Sequence, residues 1–157
     1  MKTTLTRAAM AVMITGVLAL AGCVANPSDA ETSDDPEVWG YVAAADSAQL
    51  EVQADQLGAD EIVVDRVLSP DDAWIVVHAD DNGKPGARVG LVHIDKGESV
   101  DVKVALEDVT TPKVIVAVHA DRGKADEFDF DMMSPKTSPD RPYFVDGKEL
   151  AVVVTVK

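Results

Sequence analysis

Three histidines, His78, His93 and His119, are the side chains best suited to chemistry in this sequence. Neutral imidazole binds zinc or copper through a ring nitrogen. Met132 and Met133 stand side by side further along. A thioether is a soft ligand that favours Cu(I). These five residues are the candidate metal ligands. Each histidine also has a plainer use, as a strand residue bonded to neighbouring backbone or packed against Trp74.

Acidic loops are a second candidate, for Ca2+. Asp80-Asp81-Asn82-Gly83 has the composition of a calcium loop. An EF-hand, however, would need an acid at position 78 and a glutamate at 89, where this chain has His78 and Val89. A hairpin turn is the simpler reading. Asp121, Asp126, Asp129 and Asp131 would supply oxygens only if two loops converge.

Catalysis is hard to assemble from these residues. No Gly-x-Ser-x-Gly, no His-Glu-x-x-His and no phosphate-cradling glycine loop is present. Gly97-Glu98-Ser99-Val100-Asp101 fails at its last position. The expectation is a protein that is not an enzyme.

The elements that must position these groups read as strands. Ala48, Leu50, Val52 and Ala54 alternate with polar residues, as in a half-buried strand. Residues 61–68 form a second, rich in Val and Ile. Residues 73–79 and 113–120 are apolar on both faces and so central. Between them, residues 87–94 follow the Asn82-Gly83 turn, the strongest hairpin signal in the chain. Val100, Val102, Val104 and Leu106 alternate again. Phe128 and Phe130 suggest a short strand. Residues 132–141 form a loop broken by serine and proline, and residues 150–156 close the chain.

Seven or eight short strands with regular turns and no helix argue an all-β, single antiparallel β-sandwich. One internal echo stands out. Val77-His78-Ala79-Asp80 recurs as Val118-His119-Ala120-Asp121. Suppose strands 73–79 and 113–120 are antiparallel neighbours. His78 and His119 then sit four residues out of register, about 13 Å apart at ~3.3 Å per residue. That is too far to share a metal, whereas His93 would approach His119 at the same end.

Upstream of the strands, Lys2 and Arg7 precede an apolar run over residues 8–20, too short for the ~20 residues of a membrane-spanning helix. Small residues then lead to Cys23, the only cysteine. Leu20-Ala21-Gly22-Cys23 resembles the lipobox of bacterial-type lipoproteins. That resemblance implies cleavage before Cys23, diacylglycerol on its thiol and anchoring by more than one acyl chain. It implies general secretion and an extracytoplasmic place on the cell membrane or outer membrane.

Residues 24–37 are acidic and proline-broken, the composition of a flexible tether. Residues 38–45 fit either a short helix or a strand. The expected division is a signal peptide over 1–22, lipidated cysteine and tether over 23–47, and the β-sandwich over 48–157. Lys2 and Arg7 leave with residues 1–22 and no acid does. The 14 basic residues thus become 12 against 28 acidic, and formal charge moves from −14 to −16. Such a surface repels nucleic acid.

The order of Asp55-Gln56, a strand, Trp74 to His78, Asn82-Gly83-Lys84-Pro85-Gly86, Gly90, Gly97, Val118 to Gly123, Asp140-Arg141-Pro142 and Asp146-Gly147 resembles a family of secreted prokaryotic domains of unknown function. Members occur in archaeal surface proteins and bacterial lipoproteins. The resemblance spans residues 48–157. It implies an immunoglobulin-like β-sandwich outside the cell and brings no catalytic residues.

The expectation is therefore a non-catalytic, membrane-anchored envelope lipoprotein, an interaction or structural module for an unknown envelope protein or ligand. It needs no cofactor beyond the covalent lipid. The alternative is an envelope metal-binding protein, with copper or zinc on histidine or calcium in the acidic loops.

Overall fold

The computed structural model describes residues 39–56, 58 and 60–156. The export signal, Leu20, Ala21, Gly22, Cys23 and the tether at 24–37 lie outside the described residues.

Among the described residues eleven strands follow in chain order: β1 Tyr41–Val42, β2 Gln49–Glu51, β3 Asp55–Gln56, β4 Glu61–Ser69, β5 Ala73–Asp81, β6 Lys84–Ile94, β7 Gly97–Ala105, β8 Lys113–Ala120, β9 Tyr143–Val145, β10 Lys148–Glu149 and β11 Ala151–Val156. A five-stranded sheet runs β3-β11-β8-β5-β6, and a three-stranded sheet runs β2-β4-β7. Ile62, Val64, Val67 and Val104 of the smaller sheet join Ile75, Val77, Val116 and Val118 of the larger in one core. Those eight side chains have no exposed surface. Burying each stabilises by roughly 1.5–3 kcal/mol. The result is an all-β sandwich, and β-branched side chains suit its pleated inner faces.

Strands β5 and β8 are antiparallel neighbours, as the sequence implies, with Trp74 opposite His119 and His78 opposite Ile115. Both are buried on both faces along most of their length. Strands β5 and β6 are joined by Asn82-Gly83, whose φ values of 54° and 84° make the two-residue turn with both centres left-handed. Asp80 Oδ1 accepts from the Gly83 N–H at 2.7 Å. The calcium-like loop is thus a hairpin turn.

Three details depart from the sequence reading. Of the alternating segment at 48–54 only Gln49–Glu51 is strand, and β3 begins just beyond it at Asp55. β2 pairs with β4 in the small sheet, and β3 crosses over to pair parallel with β11. Within β7, Val100 is exposed while Val102 and Val104 face the core. The phase reverses at Asp101, which stands at φ 52° inside the strand. Phe128 and Phe130 belong to no strand, because the neighbouring N–H groups bond side chains instead. Asp129 N–H donates to Asp140 Oδ2 and Asp131 N–H to Ser138 Oγ.

Residues 39–47 are part of the folded unit rather than the end of a tether. β1 pairs parallel with β9. The Tyr41 hydroxyl donates to the Pro139 carbonyl at 2.8 Å, and the Arg122 and Arg141 guanidiniums lie over its ring at 4.1 and 4.2 Å. A Cβ on Gly40 would come within 2.2 Å of the Pro142 carbonyl oxygen, so only glycine permits this approach.

Candidate functional site

The larger sheet turns one face to the core and the other to a covering segment, residues 121–142. The outer face of β5 carries Trp74, Val76 and His78; that of β8 carries Ile115, Ala117 and His119. All six are buried. The phase follows from the strand period of two. Ala73, Ile75, Val77, Val114, Val116 and Val118 face the core, so their neighbours face out.

Phe128 and Phe130 close this outer face. The Phe130 ring centroid lies 4.8 Å from that of His119, edge on, and Phe128 lies 5.8 Å from Trp74. Trp39 packs on Phe130 at 6.0 Å and on Phe144 at 5.5 Å. Between sheet and cover is a pocket of about 200 Å3, lined by Trp39, His78, Pro85, His119, Phe130, Met132, Pro135 and Glu149. Met132 is half exposed at its rim, and the adjacent Met133 is 89% exposed.

His78 and His119 both line this pocket with their ring centroids 6.4 Å apart. The expectation that they stand too far apart to act together is overturned. The four-residue offset is present, but both rings occupy the same outer face. They lean together across the step occupied by Val76 and Ala117. The repeated Val-His-Ala-Asp tetrapeptide is what puts both on one face: each valine points into the core and each histidine away from it.

The two imidazoles are held alike. His78 Nδ1 bonds the Gly86 carbonyl at 3.0 Å, and His119 Nδ1 bonds the Asp140 carbonyl at 2.8 Å. A carbonyl only accepts, so Nδ1 carries the proton in each ring and Nε2 carries a lone pair. Among the described residues, no protein donor reaches either Nε2. Burial disfavours the charged form and lowers both pKa values, that of His119 to about 4. Burial raises that of Glu149 on the pocket wall.

His93 does not join them. It lies edge-on to Trp74 at 4.8 Å and bonds Asp121 Oδ2 through Nε2 at 3.1 Å. Asp126 Oδ1 lies 3.8 Å from its Nδ1. One ligating atom from each of these three residues falls within 4.8 Å of the others. The expected approach of His93 to His119 is therefore replaced by a pairing with the covering segment. Trp74 opposes both His93 and His119 in the ladders, so its large ring separates them.

Asp140 is the residue that sequence reasoning missed. It is wholly buried. Its Oδ1 accepts from the N–H groups of Arg122 and Gly123 at 2.9 and 3.0 Å, and its Oδ2 from Asp129 N–H at 2.6 Å. One carboxylate thus folds the covering segment while its own carbonyl orients His119. A lone aspartate in an acidic chain carries no periodic signal. Its place before Arg141-Pro142 was the only hint.

Residues 48–157 match the family described as Domain of unknown function (DUF7282). No curated protein and no solved structure matches the chain. With that match covering most of the sequence and the whole of the sandwich after β1, the chain belongs to the DUF7282 family.

Proposed function

We propose that this protein is a non-catalytic, membrane-tethered module of the cell envelope that binds its ligand in the pocket beneath the covering segment. The tether follows from the sequence. Leu20-Ala21-Gly22-Cys23 supplies a lipidation site, and the acidic stretch to residue 37 holds the domain off the bilayer. The observation that carries the binding reading is the pocket itself. Trp39, Phe130, Pro85 and Pro135 give it apolar walls, two histidines offer lone pairs within it, and Met132 sits on its rim beside exposed Met133. Concave apolar sites with a few convergent polar groups are where ligands bind.

Two experiments test this. Metabolic labelling with an alkyne fatty acid should mark the full chain in membranes, and Cys23→Ser should abolish the label and release the protein. Persistence of the label would refute the anchor. A photo-crosslinking residue in place of Met133 should then capture one envelope species in living cells, and Phe130→Ala should remove that product. A scatter of products indifferent to Phe130→Ala would refute the pocket as a contact site.

A further inference from the structure

We infer that the ligand of this pocket is a soft monovalent metal ion, Cu(I), held by Nε2 of His78, Nε2 of His119 and the thioether of Met132. The inference rests on the pocket being the binding site and names what enters it.

Geometry comes first. Two imidazoles bound through nitrogen to one ion at about 2 Å each place their ring centroids roughly 5–6 Å apart. The observed separation is 6.4 Å, close to that span. Orientation comes second. Metal-bound histidines characteristically donate their other N–H to a carbonyl or carboxylate, which sets tautomer and ring angle. Both histidines already do so, to Gly86 and Asp140.

Both rings are also almost wholly buried. His119 is 1% exposed and His78 is 4% exposed. The two imidazoles belong to neighbouring strands and line one pocket.

Ion identity follows from the rest of the lining. A thioether beside two imidazoles favours Cu(I) over Zn2+ or Ca2+. Apolar walls penalise a divalent ion more than a monovalent one. Glu149 lines the pocket and would balance the charge once ionised. The ion enters and leaves without change of oxidation state.

The test is anaerobic titration of the full chain, purified in detergent, with Cu(I) against a chromophoric chelator. Zn2+ serves as comparison ion, and Trp39 fluorescence is a second readout. The expected result is one Cu(I) per chain with quenching. Each of His78→Gln, His119→Gln and Met132→Leu should weaken it by about tenfold or more. Met132→Leu alters only the half-exposed rim, so its effect is separate from any loss of folding. X-ray absorption should find nitrogen and sulfur ligands together. Absence of Cu(I) binding, or binding that none of the three substitutions weakens, would overturn the inference. If the Met133 crosslink survives that failure, the metal falls and the binding pocket stands. If both fail, the pocket reading falls with it.

Discussion

His119 donates its Nδ1 proton to the backbone carbonyl of Asp140 at 2.8 Å, while both carboxylate oxygens of the same aspartate bind backbone N–H groups of the covering segment. One buried residue therefore sets the angle of a pocket imidazole and the path of the chain that roofs the pocket. Asp140→Ala strands three N–H groups and leaves the carbonyl that holds His119 in place. The expected cost is about 3 kcal/mol, given that bonds to charged groups are the strong ones. Urea unfolding measures it. A cost near zero would mean the covering segment is held elsewhere.

The pH dependence of stability has a definite sign. Desolvation lowers the His119 pKa from 6.5 to about 4, with the bond to Asp140 opposing it, and His78 shifts the same way. Between those values the unfolded chain binds a proton that the folded chain refuses. The contribution is complete above pH 6.5 and is lost as pH falls towards 4, by about 3 kcal/mol for His119. Unfolding free energies at about pH 7.5 and about pH 4.5 should differ accordingly. His119→Gln should flatten that difference; an unaltered difference would assign it to other groups.

Gly40→Ala should detach the N-terminal segment and spare the sandwich. The added methyl group meets the Pro142 carbonyl oxygen and the Phe144 ring. Tyr41 N–H bonds Pro142 and Ala43 N–H bonds Phe144 across that approach. Hydrogen exchange at Tyr41 and Ala43 should accelerate in the variant while β5 and β8 stay protected. Unchanged protection at residues 41–43 would contradict the steric argument.

Gly83→Ala tests the hairpin. At φ 84° an L side chain is strained, and the expected loss is about 1 kcal/mol. A calorimetric scan reads it, with no change in the histidine pocket. Stability equal to the parent would show that the turn relaxes freely.

Met133→Ser separates surface from scaffold. At 89% exposure, Met133 contributes contact area and little packing. Stability should stay within about 0.5 kcal/mol of the parent. Crosslinking from a probe placed at Met132 should fall. Destabilisation beyond that range would place the Met133 side chain in the packing of the cover.

The sequence by itself determined the layers. Apolar runs at β5 and β8 mark strands buried on both faces, and Asn82-Gly83 marks the hairpin, because strand period and left-handed turn residues are local properties. What lies on which face is equally local, so the two Val-His-Ala-Asp repeats dictate that both histidines share a side. Distance across that side was not legible. Register sets His78 and His119 four residues apart, and only the tertiary structure shows their rings 6.4 Å apart across the Val76–Ala117 step, with Phe130 edge-on against His119. Tertiary structure likewise decided the partner of His93, through Trp74 standing between the rings, and the role of Asp140. A buried carboxylate serving N–H groups 11 to 18 residues away has no periodicity to betray it. Those contacts are long-range, and they exist only once the sheet provides a surface for the covering segment to close upon.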